Sequence, residues 1–292
     1  MPIIETLAIH HWQEQFSAEL QKQAVNALES GLMLFLPNLS FDLSTQEQRF
    51  LSPVFVDRKS KNISYDPSTD SIKGIQGTQQ EHEEIKAMLQ RFFAAALALT
   101  NNLLPFYQNK IQLGRTSFRP VQVSNRKTSY RKDDRRLHVD AFPANPNQGQ
   151  RILRVFSNIN PQGEDRVWQI GEPFVEVAKR FLPEIGRPFP GSSFLLEKLR
   201  LTKSRRTEYD HIMLQLHDRM KKDSNYQHKV NKTELRLPPN SSWIVQTDEV
   251  SHAALSGQHI LEQTFYVPVA AMVNPNLSPL KILERLLQRR LN

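Results

Sequence analysis

Apolar residues along this chain alternate between two periods. From Gln13 to Ser30 they recur at helical spacing, with Phe16, Leu20, Ala24 and Leu28 on one face. Gly31 follows at the position where a helix commonly stops. Leu32 to Leu36 is continuously apolar and closes at Pro37, the pattern of a buried strand. The polar stretch from Asn38 to Gly77, with a strand-like piece at Asn62 to Tyr65, predicts a peripheral loop and hairpin region. The longest helical pattern runs from Gln79 to Leu104. Ile85, Met88, Leu89, Phe92, Phe93, Ala96, Leu99 and Leu103 make a wide apolar stripe, suited to packing across a sheet.

Beyond Arg115 the apolar pieces shorten to strand length. Thr116 to Val123, Leu137 to Phe142, Ile152 to Ile159 and Arg166 to Gly171 are separated by stretches dense in Asn, Pro and Gly. Helical spacing returns at Glu172 to Leu182, Phe194 to Leu201 and Thr207 to Met220. A second strand group follows, Ser242 to Thr247 and Leu261 to Pro268, with His252 between its members. Ser278-Pro279 then caps an amphipathic, basic terminal helix. No repeat or low-complexity linker divides the 292 residues, so a single domain over 1–292 is expected, with a helical insertion at about 172–230. These patterns alone are compatible with any α+β fold.

Composition narrows the chemistry. With no cysteine, disulfides, thiolate metal sites and a Cys nucleophile are excluded, leaving imidazoles and carboxylates as metal ligands. The longest apolar run, Phe92 to Leu99, falls far short of the ~20 residues that span a bilayer. Met1 to Glu5 lacks the features of a secretory signal, so a cytoplasmic address is expected. A net charge of +8 favours anionic partners or simply solubility.

The chemistry concentrates at His138-Val139-Asp140. On a strand, residues two apart point to the same face. A second imidazole, from His252, would complete the two-His-one-carboxylate face that holds non-haem Fe(II) and leaves positions open for substrates. The competing reading of the pair is a polar strand surface. Of the other histidines, His82, His211, His217 and His228 read as surface residues, and His259 as a candidate for supporting a ligand. An iron site of this type needs an electron-donating co-substrate. For 2-oxoglutarate the distal carboxylate requires a guanidinium or comparable donors. Gln263 occupies the offset past His252 where an Arg often stands, so Arg154 and Arg119, charged residues in otherwise apolar strands, become candidates to meet it.

Several segments together resemble the Kdo 3-hydroxylase family. They are Arg136 to Pro143, Leu153 to Pro161, Arg166 to Trp168, Thr202 to Asp210 and, most distinctively, Thr247 to Gln258. The resemblance spans most of the chain. It implies a double-stranded β-helix (jelly roll) with helices packed outside, and an Fe(II)- and 2-oxoglutarate-dependent dioxygenase. The reaction implied is hydroxylation at C3 of the inner Kdo sugar of lipopolysaccharide, with 2-oxoglutarate decarboxylated to succinate. His138, Asp140 and His252 would be both the metal ligands and the catalytic centre, and the family's missing Arg would explain Gln263. It implies Kdo-lipid A as substrate, bound at the inner face of the inner membrane. The basic runs Arg126-Lys127, Arg131-Lys132, Arg135-Arg136 and Lys203 to Arg206 would meet its carboxylate and phosphates. The terminal helix is expected to dock against the domain, with contact with an anionic membrane surface as the alternative. Two other classes remain beside this one: a metal-free jelly-roll module for acidic glycan or lipid, and a nucleic-acid binder. The second lacks any helix-turn-helix, zinc-finger or aromatic-basic signature, so no nucleic-acid partner is expected.

Overall fold

The computed structural model describes residues 3–57, 60–122 and 128–291. In chain order its strands are β1 (Ile4–Thr6), β2 (Met33–Leu36), β3 (Ile63–Asp66), β4 (Ser71–Lys73), β5 (Gln112–Arg119), β6 (Arg151–Asn158), β7 (Arg166–Ile170), β8 (Thr233–Leu237), β9 (Ser242–Gln246), β10 (His252–Ser256) and β11 (Ile260–Val267). Its helices are α1 (Ala18–Glu29), α2 (Gln79–Leu103), α3 (Phe174–Phe181), α4 (Ser192–Lys198), α5 (Glu208–Lys222), α6 (Ser224–Lys229) and α7 (Pro279–Leu287).

Eight strands form one sheet in the order β1-β2-β9-β6-β11-β5-β3-β4, and three form a second, β10-β7-β8. His138 adds a single antiparallel bridge to His252 on the open edge of the smaller sheet. From β5 onward the chain therefore visits large, small, large, small, small, large, small and large sheet in turn. That winding is the double-stranded β-helix, and it makes the space between the sheets the natural place for a site.

Local chemistry sets the element ends. Helix α1 begins at Ala18 rather than near Gln13, because the Ser17 hydroxyl accepts from the Leu20 amide. Phe16, outside the helix, still packs on its core. Gly31 takes φ +81, the left-handed turn that leads from α1 into β2. Helix α2 starts in a full capping box between Thr78 and Glu81. Its stripe packs on β5, β11 and β3, with Phe92 and Leu99 wholly buried. Truncating Phe92 to Ala would cost about 3–5 kcal/mol.

Two expectations need correction. The predicted strand at Leu137 to Phe142 contributes only the bridge at His138. Its backbone partners lie mostly outside a sheet: the Gln227 side chain binds both the N–H and the C=O of Leu137, and the Asp140 amide donates to Thr247. The strand predicted from Thr116 to Val123 instead covers Gln112–Arg119 and ends at Pro120; Val123 lies outside the described residues. The terminal helix α7 docks on the domain as expected, burying Leu280, Ile282 and Leu283 in one cluster with α3 and α5, so its apolar face is already covered. Strands β1 and β8 and helix α6 carry too little periodicity to have been predicted, and His252, expected between two strands, instead opens a strand of its own, β10.

Candidate active site

The bridge between His138 and His252 is what assembles the site. Each residue's amide donates to the other's carbonyl, at 3.0 and 2.9 Å. The two rings then lie with centroids 4.5 Å apart. Asp140, two residues on, returns its carboxylate to the same place, with Oδ1 3.6 Å from His138 Nε2. One donor atom from each of the three lies within 4.8 Å of the others.

The hydrogen bonds settle which imidazole nitrogens face inward. His138 Nδ1 lies 2.8 Å from the Arg136 carbonyl, and His252 Nδ1 2.8 Å from that of Val250. A carbonyl only accepts, so both Nδ1 atoms carry the proton and both Nε2 lone pairs are left for a ligand. Burial, with the other imidazole and Lys221 nearby, pushes the His138 pKa well below its ordinary value. Burial likewise lowers that of His252, so both rings are neutral. For Asp140 burial works against ionisation, but the Arg154 guanidinium outweighs it and holds the carboxylate charged. Two neutral imidazoles and one anion are the donor set that borderline divalent metals prefer. The residues therefore fit a metal ion.

Around this point lie two cavities. The larger, about 750 Å³, contains the three donors and is walled by Phe156, Trp168, Ala254 and Lys221. The smaller, about 570 Å³, adjoins it and is lined by Ser117, Tyr266, Asn145 and Lys203. Arg119, Arg154, Glu262, Phe142 and Pro143 line both. Arg154 Nη2 sits 2.9 Å from Asp140 Oδ2, and its Nη1 donates to Glu262 Oε1 at 2.8 Å. Arg119 holds the other Glu262 oxygen at 2.7 Å.

The structure thus brings His138, Asp140, His252, Arg154 and Arg119 together. It does not bring in Gln263. On β11 the inward residues are Glu262 and Thr264, and Gln263 faces the other side. There it is wholly buried, accepts from Thr116 Oγ1 and donates to the Gly114 and Thr264 carbonyls. His217 was expected at the surface, yet it is buried, lines the larger cavity and meets the His138 ring edge-on at 5.4 Å. His259 takes φ +58 and lines neither cavity; burial lowers its pKa to about 4. Among the basic runs, Arg131 and Lys132 reach the larger cavity and Lys203 the smaller. Arg135 is engaged by Asp133 and Arg136 by the Lys221 carbonyl. Arg126-Lys127 lies outside the described residues.

Sequence reasoning missed Glu262, Trp168, Lys221 and Arg166. Trp168 stacks on His252 with centroids 4.9 Å apart. Arg166, two residues earlier on the same face of β7, also reaches the larger cavity and donates to the Gly257 carbonyl. The detectable signal was a charged side chain in an apolar strand, the same reasoning that had selected Arg154.

A jelly roll with a buried His-Asp-His face beside a cationic cavity defines the class of non-haem metal oxygenases. The family model described as 3-deoxy-D-manno-oct-2-ulosonic acid (Kdo) hydroxylase matches residues 11–290. The chain belongs to the Kdo hydroxylase family and is an enzyme of it. Among solved structures it is similar to the Kdo hydroxylase KdoO, described as a non-haem Fe(II) alpha-ketoglutarate dependent dioxygenase, in complex with alpha-ketoglutarate and Fe(III). That match has 46% identity, 100% of this chain, 97% of that chain and a TM-score of 0.96. The cobalt(II) complex of KdoO matches with 47% identity, 99% and 97% coverage and a TM-score of 0.97. The apo structure matches with 47% identity, 100% and 97% coverage and a TM-score of 0.96. No curated protein matches the chain.

Proposed function

We propose that this chain holds Fe(II) through His138 Nε2, Asp140 and His252 Nε2, takes 2-oxoglutarate as co-substrate, and hydroxylates Kdo at C3. The observation that carries the reading is the pair of Nδ1–carbonyl hydrogen bonds, which turns both imidazoles toward one carboxylate as neutral ligands. Bound there, the iron would supply the oxidising chemistry, with 2-oxoglutarate decarboxylation as its electron source.

The chain's own residues position the reactants. Arg154 neutralises Asp140 and fixes its orientation, leaving the other carboxylate oxygen toward the metal. Arg119 and Arg154 are the guanidinia that meet the distal carboxylate of 2-oxoglutarate, and Arg166 offers a third on the opposite wall. Glu262, held between Arg119 and Arg154, fixes both guanidinia in place beside the cavity. Phe156, Trp168 and Ala254 give the larger cavity an apolar lining, which excludes water from the reacting centre. The smaller cavity, with its cations, hydroxyls and the Asn145–Tyr266 hydrogen bond, suits a polyhydroxylated acid sugar.

The reading extends to organisation and place. The chain is one domain, because α3, α5 and α6, though inserted between β7 and β8, share a core with the bridge segment at Leu137 and Val139 and with α7. It acts on Kdo carried by lipid A, on the cytoplasmic side of the membrane and in peripheral contact with it. Among the described residues no helix is long and apolar enough to cross a membrane. The test is mass spectrometry of Kdo-lipid A after incubation with the protein, Fe(II), 2-oxoglutarate and O2. A gain of one oxygen on Kdo is expected, and fragmentation assigns the carbon and the sugar unit. An unchanged mass with metal-loaded protein sinks the proposal.

A further inference from the structure

Half of the large apolar side chains exposed among the described residues fall in one short segment. Phe189, Phe194, Leu195, Leu199 and Leu201 are between 55% and 85% exposed. They lie on and around α4, a helix with no buried residue. So short a helix is not stable in water by itself, and an exposed apolar cluster of this density marks a contact surface.

The same segment is strongly basic. From 187 to 206 it carries Arg187, Lys198, Arg200, Lys203, Arg205 and Arg206 against the single acid Glu197. Among the described residues none of the six cations makes an ion pair, and Arg206 donates instead to the Pro143 carbonyl. Aromatic and aliphatic side chains interleaved with unpaired cations match an anionic lipid surface. The apolar groups enter the headgroup boundary, and the cations stay at the phosphates. A second copy of the chain would have to press this charge against its own image across a two-fold interface. The terminal helix offers no alternative, since its apolar face is buried.

The segment is also tied to the active site. The Lys203 amide donates to the Ala144 carbonyl, Arg206 to that of Pro143, and Gln148 to that of Arg205. Pro143 and Phe142 wall both cavities, and Lys203 lines the smaller. We propose that residues 187–206 are a docking surface that seats the protein on an anionic bilayer, with the mouth of the smaller cavity turned toward the lipid. The surface follows from exposure and charge alone; its use in presenting a lipid-linked sugar rests on the function proposed above.

The test separates the two. The full chain, without metal or co-substrate, is sedimented with vesicles of phosphatidylcholine alone or mixed with phosphatidylglycerol. Binding to the mixed vesicles is expected, with little to the neutral ones and release by salt. Replacing Lys198 and Arg200 by Gln should weaken binding about fivefold per charge, and Leu195→Ser with Leu199→Ser should abolish it. A Phe194→Trp variant reads insertion in the intact fold as a blue shift on anionic vesicles. These variants should hydroxylate a water-soluble Kdo glycoside at the parent rate and lose turnover only on Kdo-lipid A in vesicles. Equal binding to neutral vesicles, unchanged binding by the variants, an unshifted emission from the Phe194→Trp variant, or a dimer that the Ser variants dissociate would each overturn the proposal. Failure of the parent to hydroxylate the soluble glycoside would strike the proposed function and leave the surface standing.

Discussion

Arg154 Nη2 lies 2.9 Å from Asp140 Oδ2, so the guanidinium contacts the carboxylate of the His-Asp-His face directly. Its other arm holds Glu262, whose second oxygen is held by Arg119. Charges thus alternate from Asp140 through Arg154 and Glu262 to Arg119. Such a row is tolerable between apolar walls only because each member has a partner of opposite sign. The row makes Arg154 a positioning residue for Asp140. Arg154→Ala should lower Co(II) affinity about 10–100-fold, measured by titration of the apoprotein. If affinity is unchanged and only the KM for 2-oxoglutarate rises, Arg154 serves the co-substrate alone and does not position Asp140.

His138→Ala and His252→Ala should each abolish stoichiometric metal uptake and succinate release. Each removes a neutral Nε2 donor, but together the rings also contribute the ring contact at 4.5 Å, so a modest loss in Tm is expected, not unfolding. Thermal melting and 2-oxoglutarate turnover check this pair of outcomes. Succinate release at the parent rate by both variants would mean that the ligands are misassigned.

That His138 and Asp140 face one side was legible from spacing, because any extended backbone puts residues two apart on one side; that they are ligands was legible only with His252 and the family resemblance. The shared side survived even though the segment forms only a bridge instead of a strand. Gln263 failed by one residue: offset counting ignores the pleat, and the alternation of β11 turns Glu262 inward. His217 and Lys221 were not legible as site residues. They reach the cavity only because α5 folds back beside the bridge segment, a contact between parts of the chain about 80 residues apart for which local pattern carries no signal. The jelly roll itself became legible through the family resemblance, since two short strands and one irregular segment are too weak to announce its winding.

Arg119 should act on the co-substrate more than on the metal. It reaches the larger cavity but touches none of the three donors directly. Arg119→Ala should raise the KM for 2-oxoglutarate about 10–100-fold, the worth of a charged hydrogen bond, with Co(II) affinity near the parent value. An unchanged KM would move the distal carboxylate to Arg154 or Arg166.

Remote from the site, Arg151 is wholly buried between Asp248 at 2.7 Å and Glu249 at 2.5 Å. Two carboxylates share one guanidinium. Burial raises the Glu249 pKa, Arg151 pulls it down, and Asp248 pushes it up again, leaving it at about 7 against 4.5 in the unfolded chain. The folded state therefore holds this proton more tightly. Its contribution is complete below pH 4.5 and is lost as pH rises through about 7, on the order of 3 kcal/mol in all. Urea unfolding at pH 5 and pH 8 should show the parent losing more stability across that interval than Glu249→Gln. Parallel pH profiles would show that Glu249 is ionised throughout.

Trp168 offers a direct reading of the metal site. Its ring lies nearly parallel to His252, 19° apart with centroids at 4.9 Å, while the chain's other two tryptophans, Trp12 and Trp243, are absent from the cavity walls. Because Trp168 stacks on the His252 ring, a paramagnetic ion held by His252 would be close enough to it for strong quenching. Titrating the apoprotein with Co(II) should therefore quench part of the tryptophan emission and saturate at one equivalent, whereas Zn(II), which is redox-inert and diamagnetic, should bind with far less quenching. In Trp168→Phe the quenching should fall to the weaker effect on Trp243, whose ring lies 6.0 Å beyond that of Trp168, although the metal still binds by equilibrium dialysis. If that variant is quenched as deeply as the parent, the ion sits elsewhere, away from His252.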